Sequence, residues 1–133
     1  LGFLASQAGS SAAEARQAHI SSPAAFEGAL AAARDGRRPT LVAFTAAWCT
    51  VCKSNEAVMA EPAVEARLAG LNRIVVDVTD YGDGARALMG RYDVIGPPTL
   101  VLLDAGGREL PGARHVGALG AADLERLAVA AGL

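Results

Sequence analysis

The 133-residue chain contains two cysteines, and they stand two residues apart in Trp48-Cys49-Thr50-Val51-Cys52-Lys53. A thiol becomes a good nucleophile only as a thiolate, so the surroundings of the pair decide what it can do. The apolar run Leu41-Val42-Ala43-Phe44 precedes it and reads as a buried strand. A strand that ends in a loop and runs into a helix brings the first sulfur to the helix N-terminus. There, unpaired backbone N–H groups and the helix dipole favour the thiolate. The second sulfur, one turn on, is within reach to close a small disulfide ring. The pattern predicts thiol–disulfide exchange, with Cys49 as an exposed nucleophile and Cys52 as the resolving thiol.

Two cysteines are too few for a structural disulfide framework, and so small a ring gains little from chain entropy. Metal ligation is the other chemistry open to the pair. Structural zinc takes four ligands, and the histidines, His19 and His115, lie far away in sequence. A soft-metal module holding Cu(I) is the remaining alternative, but no Met, His or further Cys occurs near the pair between Ala46 and Val58. The expectation is a redox pair with no metal and no bound cofactor.

Neighbouring residues divide into candidates and scaffolding. Trp48, immediately before the first cysteine, suits shielding of the disulfide and contact with a partner. Glu56 follows Cys52 by four positions and Cys49 by seven, which puts it on the same helical face. It either exchanges a proton with Cys52 or is simply a solvated carboxylate. Lys53 reads as solvent-facing, Met59 and Met89 as core filler, and Asp77, Asp80 and Asp83 as loop caps rather than a metal site. His19 and His115 belong to no motif and read as structural or surface residues.

The elements that must position these groups follow from local signals. A strand is expected over Gln17–Ile20. Ser22-Pro23 starts a helix, Ser as N-cap and Pro in the first turn, with Phe26, Leu30 and Ala33 on one face and Asp35-Gly36 at its end. Thr40–Thr45 is a strand, and a helix runs over about Cys49–Ala60 with Val58 and Met59 inward. Pro62 opens a further helical stretch to Leu68. Next come a strand over Arg73–Val78, a helix over about Gly84–Arg91 and a strand over Thr99–Leu103. A hairpin turn at Ala105-Gly106-Gly107, a strand near Arg114–Val116 and a helix over Ala121–Ala130 complete the order. Alternating βα units followed by a hairpin imply an α/β fold with a mixed sheet and helices on both faces.

With 52% hydrophobic and 20% charged residues, the chain has the composition of one globular domain with a core of its own. Residues 1–16 lack a periodic apolar face and read as a tail or linker, leaving 17–133 as the domain. Leu1-Gly2-Phe3-Leu4-Ala5 lacks the basic start and full apolar stretch of a signal peptide. No run approaches the ~20 apolar residues that cross a bilayer. A net charge of −2 argues against nucleic acid or an anionic membrane surface as partner.

Three separated motifs resemble those of the thioredoxin-fold family. They are Trp48–Lys53 after a strand, Gly96-Pro97-Pro98-Thr99-Leu100, and Val116-Gly117-Ala118-Leu119 before the final helix. Within that fold the chain is similar to the C-terminal periplasmic domain of the DsbD thiol:disulfide interchange family. Ala47–Lys53 with Glu56, Asp104–Glu109 with Pro111 and Arg114, and His19-Ile20 carry this likeness. The resemblance implies a thioredoxin-like fold with a central mixed sheet, a cis Pro98, and partner contacts through Trp48, Pro97, Pro98 and Gly117. It also implies a monomeric periplasmic domain that takes electrons from an upstream, membrane-embedded thiol donor and passes them to a disulfide-bonded partner protein. A free-standing thioredoxin-like reductase is the alternative. Two departures stand out. Pro97 offers no N–H where relatives pair their backbone with the partner. Ala43 occupies the position at which many thioredoxins carry a buried acid.

Overall fold

The computed structural model describes residues 17–133 of the chain, so the tail expected over 1–16 lies outside the described residues. The element order is β1 (Gln17–Ile20), α1 (Pro23–Asp35), β2 (Thr40–Thr45), α2 (Thr50–Met59), α3 (Pro62–Arg67), β3 (Asn72–Asp77), α4 (Asp83–Arg91), β4 (Thr99–Leu103), β5 (His115–Val116) and α5 (Ala121–Ala130). The five strands form one sheet in the order β1-β3-β2-β4-β5. β3 pairs parallel with β1 and with β2, whereas β4 pairs antiparallel with β2 and with β5. This is the mixed sheet that alternating βα units and a closing hairpin predict.

Alternation along the strands gives each face its own core. Val42 and Phe44 of β2, Ile74 and Val76 of β3, and Val101 and Leu103 of β4 pack with Phe26 and Leu30 of α1 and Leu88 of α4. Leu41, Leu100 and Leu102 point the other way and meet Met59 of α2, Leu68, and Leu124 and Leu127 of α5. The disulfide cysteines join the first of these cores, while Met59, two turns further along α2, belongs to the second. The active-site helix thus bridges both.

Local chemistry accounts for the boundaries. Ser22 caps α1 by accepting from the Ala25 N–H at 3.2 Å, and Pro23 occupies the first turn. Pro62 opens α3, as expected from its position after Glu61. The turn after β4 is held by Asp104, whose Oδ1 accepts from the N–H groups of Gly106 and Arg108 at 2.9 and 3.0 Å. Gly84, at the start of α4, lies so close to Ser21 O that an added Cβ would sit 2.4 Å from it. Only glycine lets α4 approach the β1–α1 connection this closely. β3 spans Asn72–Asp77, one residue earlier than the sequence suggests. Its pairing nonetheless continues beyond the strand, since Val78 N–H donates to Thr45 O at 2.8 Å. β5 is shorter than expected, only His115–Val116.

Candidate active site

Cys49 is the N-cap of α2, with extended backbone, and Cys52 sits in the first turn. The two are joined as a disulfide with their Cα atoms 5.2 Å apart. The Cys52 N–H donates to Cys49 Sγ at 3.1 Å. One of the helix's orphan N–H groups therefore already faces the sulfur on which negative charge would develop, as the strand–loop–helix argument requires.

One expectation needs correction. Cys49 is not an exposed residue: only 7% of its surface is accessible, against 2% for Cys52. The reason is the cap itself. A side chain that turns back over the first helical turn to meet Cys52 N–H and Cys52 Sγ folds against the protein rather than reaching outward. Exposure belongs to its neighbours instead, with Trp48 55% and Ile95 98% accessible and Val51 and Val116 also prominent.

Trp48 is firmly held despite its exposure. Its indole Nε1–H donates to Thr79 O at 3.0 Å, and its ring stacks on Tyr81 with centroids 6.1 Å apart. Thr79 Oγ1 also accepts from the Ala47 N–H at 2.8 Å. Asp77 fixes Thr79 in turn, accepting from its N–H at 2.9 Å and from its hydroxyl. These bonds, that from the Thr79 hydroxyl foremost, hold the Asp77 carboxyl below the usual carboxylate range. Asp77 is thus a loop anchor, in keeping with its reading as a cap. Thr79 and Tyr81 were not singled out by sequence reasoning. The Asp-x-Thr spacing at a strand end is the available signal, because it is the pattern of a side chain bonding its own backbone two residues on.

The Pro97–Pro98 peptide bond is cis, as the motif implies. Gly117 has φ +96°, a conformation that L side chains rarely adopt, and its N–H donates to Pro98 O at 3.1 Å. Asn55 of α2 bonds the same loop through Gly117 O and Leu119 N–H, both at 3.0 Å. Cys49, Cys52, Trp48, Pro98 and Gly117 are therefore gathered at one end of the sheet.

Beside Cys52 lies a cleft of about 250 Å³, lined in part by Ala43, Thr45, Asn55, Glu56, Arg73 and Pro98. Ala43, with its small side chain, opens onto it. Glu56 is on its wall and accepts from the Thr45 hydroxyl at 3.0 Å. Glu56 and Cys52 thus share one cleft, as their spacing on the helix predicts. His19 reaches the cleft from β1, while His115 bonds Ala118 O through Nε2 at 2.9 Å and lies outside it. Lys53 is exposed and Met59 and Met89 are buried. Among the described residues, no group of three or more His, Cys, Asp or Glu is placed to hold a metal ion. None of the helices described is long and apolar enough to cross a membrane.

A strand, a two-cysteine helix N-terminus and a cis-proline loop brought together in this way define a thioredoxin-type redox site. The family model described as thioredoxin-like matches residues 21–105, and the chain belongs to that family. It is 37% identical over 115 residues to thiol:disulfide interchange protein DsbD 1 of Pseudomonas aeruginosa, covering 85% of this chain and 20% of that protein. The chain thus spans about a fifth of the length of that relative. Among solved structures, the C-terminal domain of DsbD from Neisseria meningitidis in the reduced form superimposes with a TM-score of 0.72. That match covers 84% of this chain and 97% of that one at 23% identity, a likeness of fold. Oxidised thioredoxin O2 from Arabidopsis thaliana has a TM-score of 0.64 and 32% identity, over 86% of this chain and 90% of its own.

Proposed function

We propose that the chain is the electron-relaying C-terminal domain of a DsbD-type reductase, working in the periplasm between an upstream, membrane-embedded thiol donor and a disulfide-bonded partner protein. Its reaction class is thiol–disulfide exchange: the chain is a thiol–disulfide oxidoreductase. The observation that carries the reading is the Cys49–Cys52 disulfide at the mouth of α2, with a backbone N–H already directed at Cys49 Sγ.

The cycle balances without a bound cofactor. In the reduced domain the Cys49 thiolate attacks one sulfur of the partner disulfide, forming a mixed disulfide and releasing the partner's other sulfur as thiolate. Cys52, as thiolate, then attacks Cys49 Sγ. The Cys49–Cys52 bond forms, the mixed disulfide breaks, and the partner leaves as a dithiol. Two electrons and two protons have passed to the partner, and the donor's dithiol restores them. Glu56, in the cleft with Cys52, takes the proton that Cys52 must lose in the second step. Trp48, Pro97, Pro98 and Gly117 form the surface on which the partner rests.

The 32% identity to a thioredoxin supports a second reading, a free-standing thioredoxin-like reductase. A membrane-embedded domain within the same polypeptide favours the relay, and its absence from the full-length gene product favours the free enzyme.

The deciding measurement is the reduction potential of the pair, read from Trp48 fluorescence or thiol alkylation across redox buffers. A two-electron transition near or below about −200 mV places the domain with reductants, whereas about −120 mV makes it a disulfide donor. No reversible transition ends the exchange reading. Cys52→Ser should trap the partner on Cys49, and Cys49→Ser should trap nothing. Glu56→Gln should lengthen the life of the mixed disulfide most at pH values above the ordinary carboxylate range and below the ordinary thiol range, where a carboxylate can accept the proton that Cys52 still carries. An unchanged lifetime removes Glu56 from the second step.

A further inference from the structure

Asn55 lies three residues after Cys52, on the inward stripe of α2 that continues to Met59, and is largely buried. Burying a carboxamide is unfavourable unless both its ends find partners. Both do, and both partners belong to the loop between β5 and α5. Nδ2 donates to Gly117 O, and Leu119 N–H donates to Oδ1, each at 3.0 Å. Gly117 N–H passes the connection on to Pro98 O at 3.1 Å. A continuous path of bonds therefore links the helix bearing both cysteines, the Gly117 loop and the cis-proline loop.

The Gly117 loop has reason to need such a tie. It has no regular secondary structure between Val116 and Ala121, Val116 is exposed, and Gly117 is held at a positive φ. Ordering a segment of this kind during docking costs conformational entropy, and ordering it beforehand removes that cost from the encounter. His115 gives the loop a second tie, to Ala118 O, but from within the loop's own strand. Asn55 is the side chain that ties it to the redox helix.

We propose that Asn55 is a positioning residue for partner exchange: its carboxamide holds Gly117–Leu119 against α2, so that the partner-facing surface exists before the partner arrives. The inference rests on the thiol–disulfide exchange reading above. It assigns Asn55 to docking and not to the chemistry at sulfur. Asn is neutral, so replacing it with Leu or Ser alters no formal charge near the cysteines, and docking can be separated from thiol reactivity.

The test reacts reduced wild type, Asn55→Leu and Asn55→Ser with two mixed disulfides of 5-thio-2-nitrobenzoate. One carries a single cysteine, and the other an extended apolar peptide with one cysteine at its centre. Released thionitrobenzoate reports each rate, and amide hydrogen exchange at Leu119 reports the tie itself. The peptide rate should fall about tenfold or more in the variants, which lose both hydrogen bonds of the carboxamide, with the single-cysteine rate within about twofold of wild type. Leu119 exchange should accelerate in both variants. An unchanged ratio of the two rates, or equal slowing of both, overturns the positioning role. If Asn55→Leu does not fold, Asn55→Ser carries the same comparison, and if neither folds Asn55 is structural and the proposal fails. Failure of wild-type Cys49 to react with either reagent overturns the exchange reading instead, so the two failures are distinct.

Discussion

The disulfide is flanked by two segments that are anchored in opposite ways. On one side, Trp48 and Ala47 hang from Thr79, which hangs from the ionised carboxylate of Asp77; Thr79 is half-buried and the other three are exposed. On the other, Gly117 and Leu119 hang from Asn55, a neutral and largely buried carboxamide. A charged anchor in water is cheap to build but responds to pH and is weakened by solvent competition. A neutral buried anchor ignores pH but fails badly if either end is left unpaired. The two flanks of one site should therefore respond to different perturbations.

The largest effect is expected from Gly117→Val, which forces a β-branched residue to φ +96°. Backbone strain of about 1–3 kcal/mol should appear as a lower denaturation midpoint and slower exchange with a peptide disulfide. Wild-type stability in this variant would show that the loop relaxes freely and that its conformation is not imposed. Next comes Thr79→Val, which leaves the Ala47 N–H without its hydroxyl acceptor and should cost about 1 kcal/mol. Its signature is a change in Trp48 emission with no acceleration of Leu119 amide exchange. If both probes move together, the flanks are one unit and the contrast collapses.

The smallest effect is the pH response. Asp77 has its folded pKa depressed by Thr79, so its contribution is fully present above the unfolded value near 3.9 and is lost as pH falls through the lower folded value. Acidification below about pH 4 should thus loosen Trp48, while on the other flank the carboxylate exposed to the same change is Asp123, which accepts from the Gly120 N–H and is likewise held below the usual range. Asp77→Asn should abolish that step in Trp48 emission, and persistence of the step in the variant would assign it to another group.

The legible and illegible parts of this molecule divide by sequence distance. Ser22-Pro23, Asp35-Gly36, Glu61-Pro62 and Asp104–Gly107 act on their own neighbours, so helix starts and turns could be read directly. The strands were readable because both faces of the sheet are covered, which leaves continuous apolar runs such as Thr99–Leu103. Cys49, Cys52 and Glu56 were visible because helical spacing puts them together, and Trp48 because it adjoins Cys49. Asn55 and Thr79 were not, since their partners lie 62 and 64 residues, and 32 and 31 residues, away. In sequence, Asn55 is only a polar residue on an apolar stripe, three positions after Cys52 and four before Met59. The burial of Cys49 was hidden for a different reason: cap geometry, not residue type, turns its side chain inward.

The shortness of β5 has a consequence for solubility. The end of the sheet that carries the disulfide also displays Trp48, Ile95 and Val116, apolar side chains left in water. An apolar region beside a long open strand is a template on which identical chains stack edge to edge. Here the edge beside them, β5, is only His115–Val116, and the nearby Pro97 and Pro98 have no N–H to lend to a growing ladder. The surface can remain sticky enough for a passing partner while giving copies of itself almost no backbone on which to polymerise.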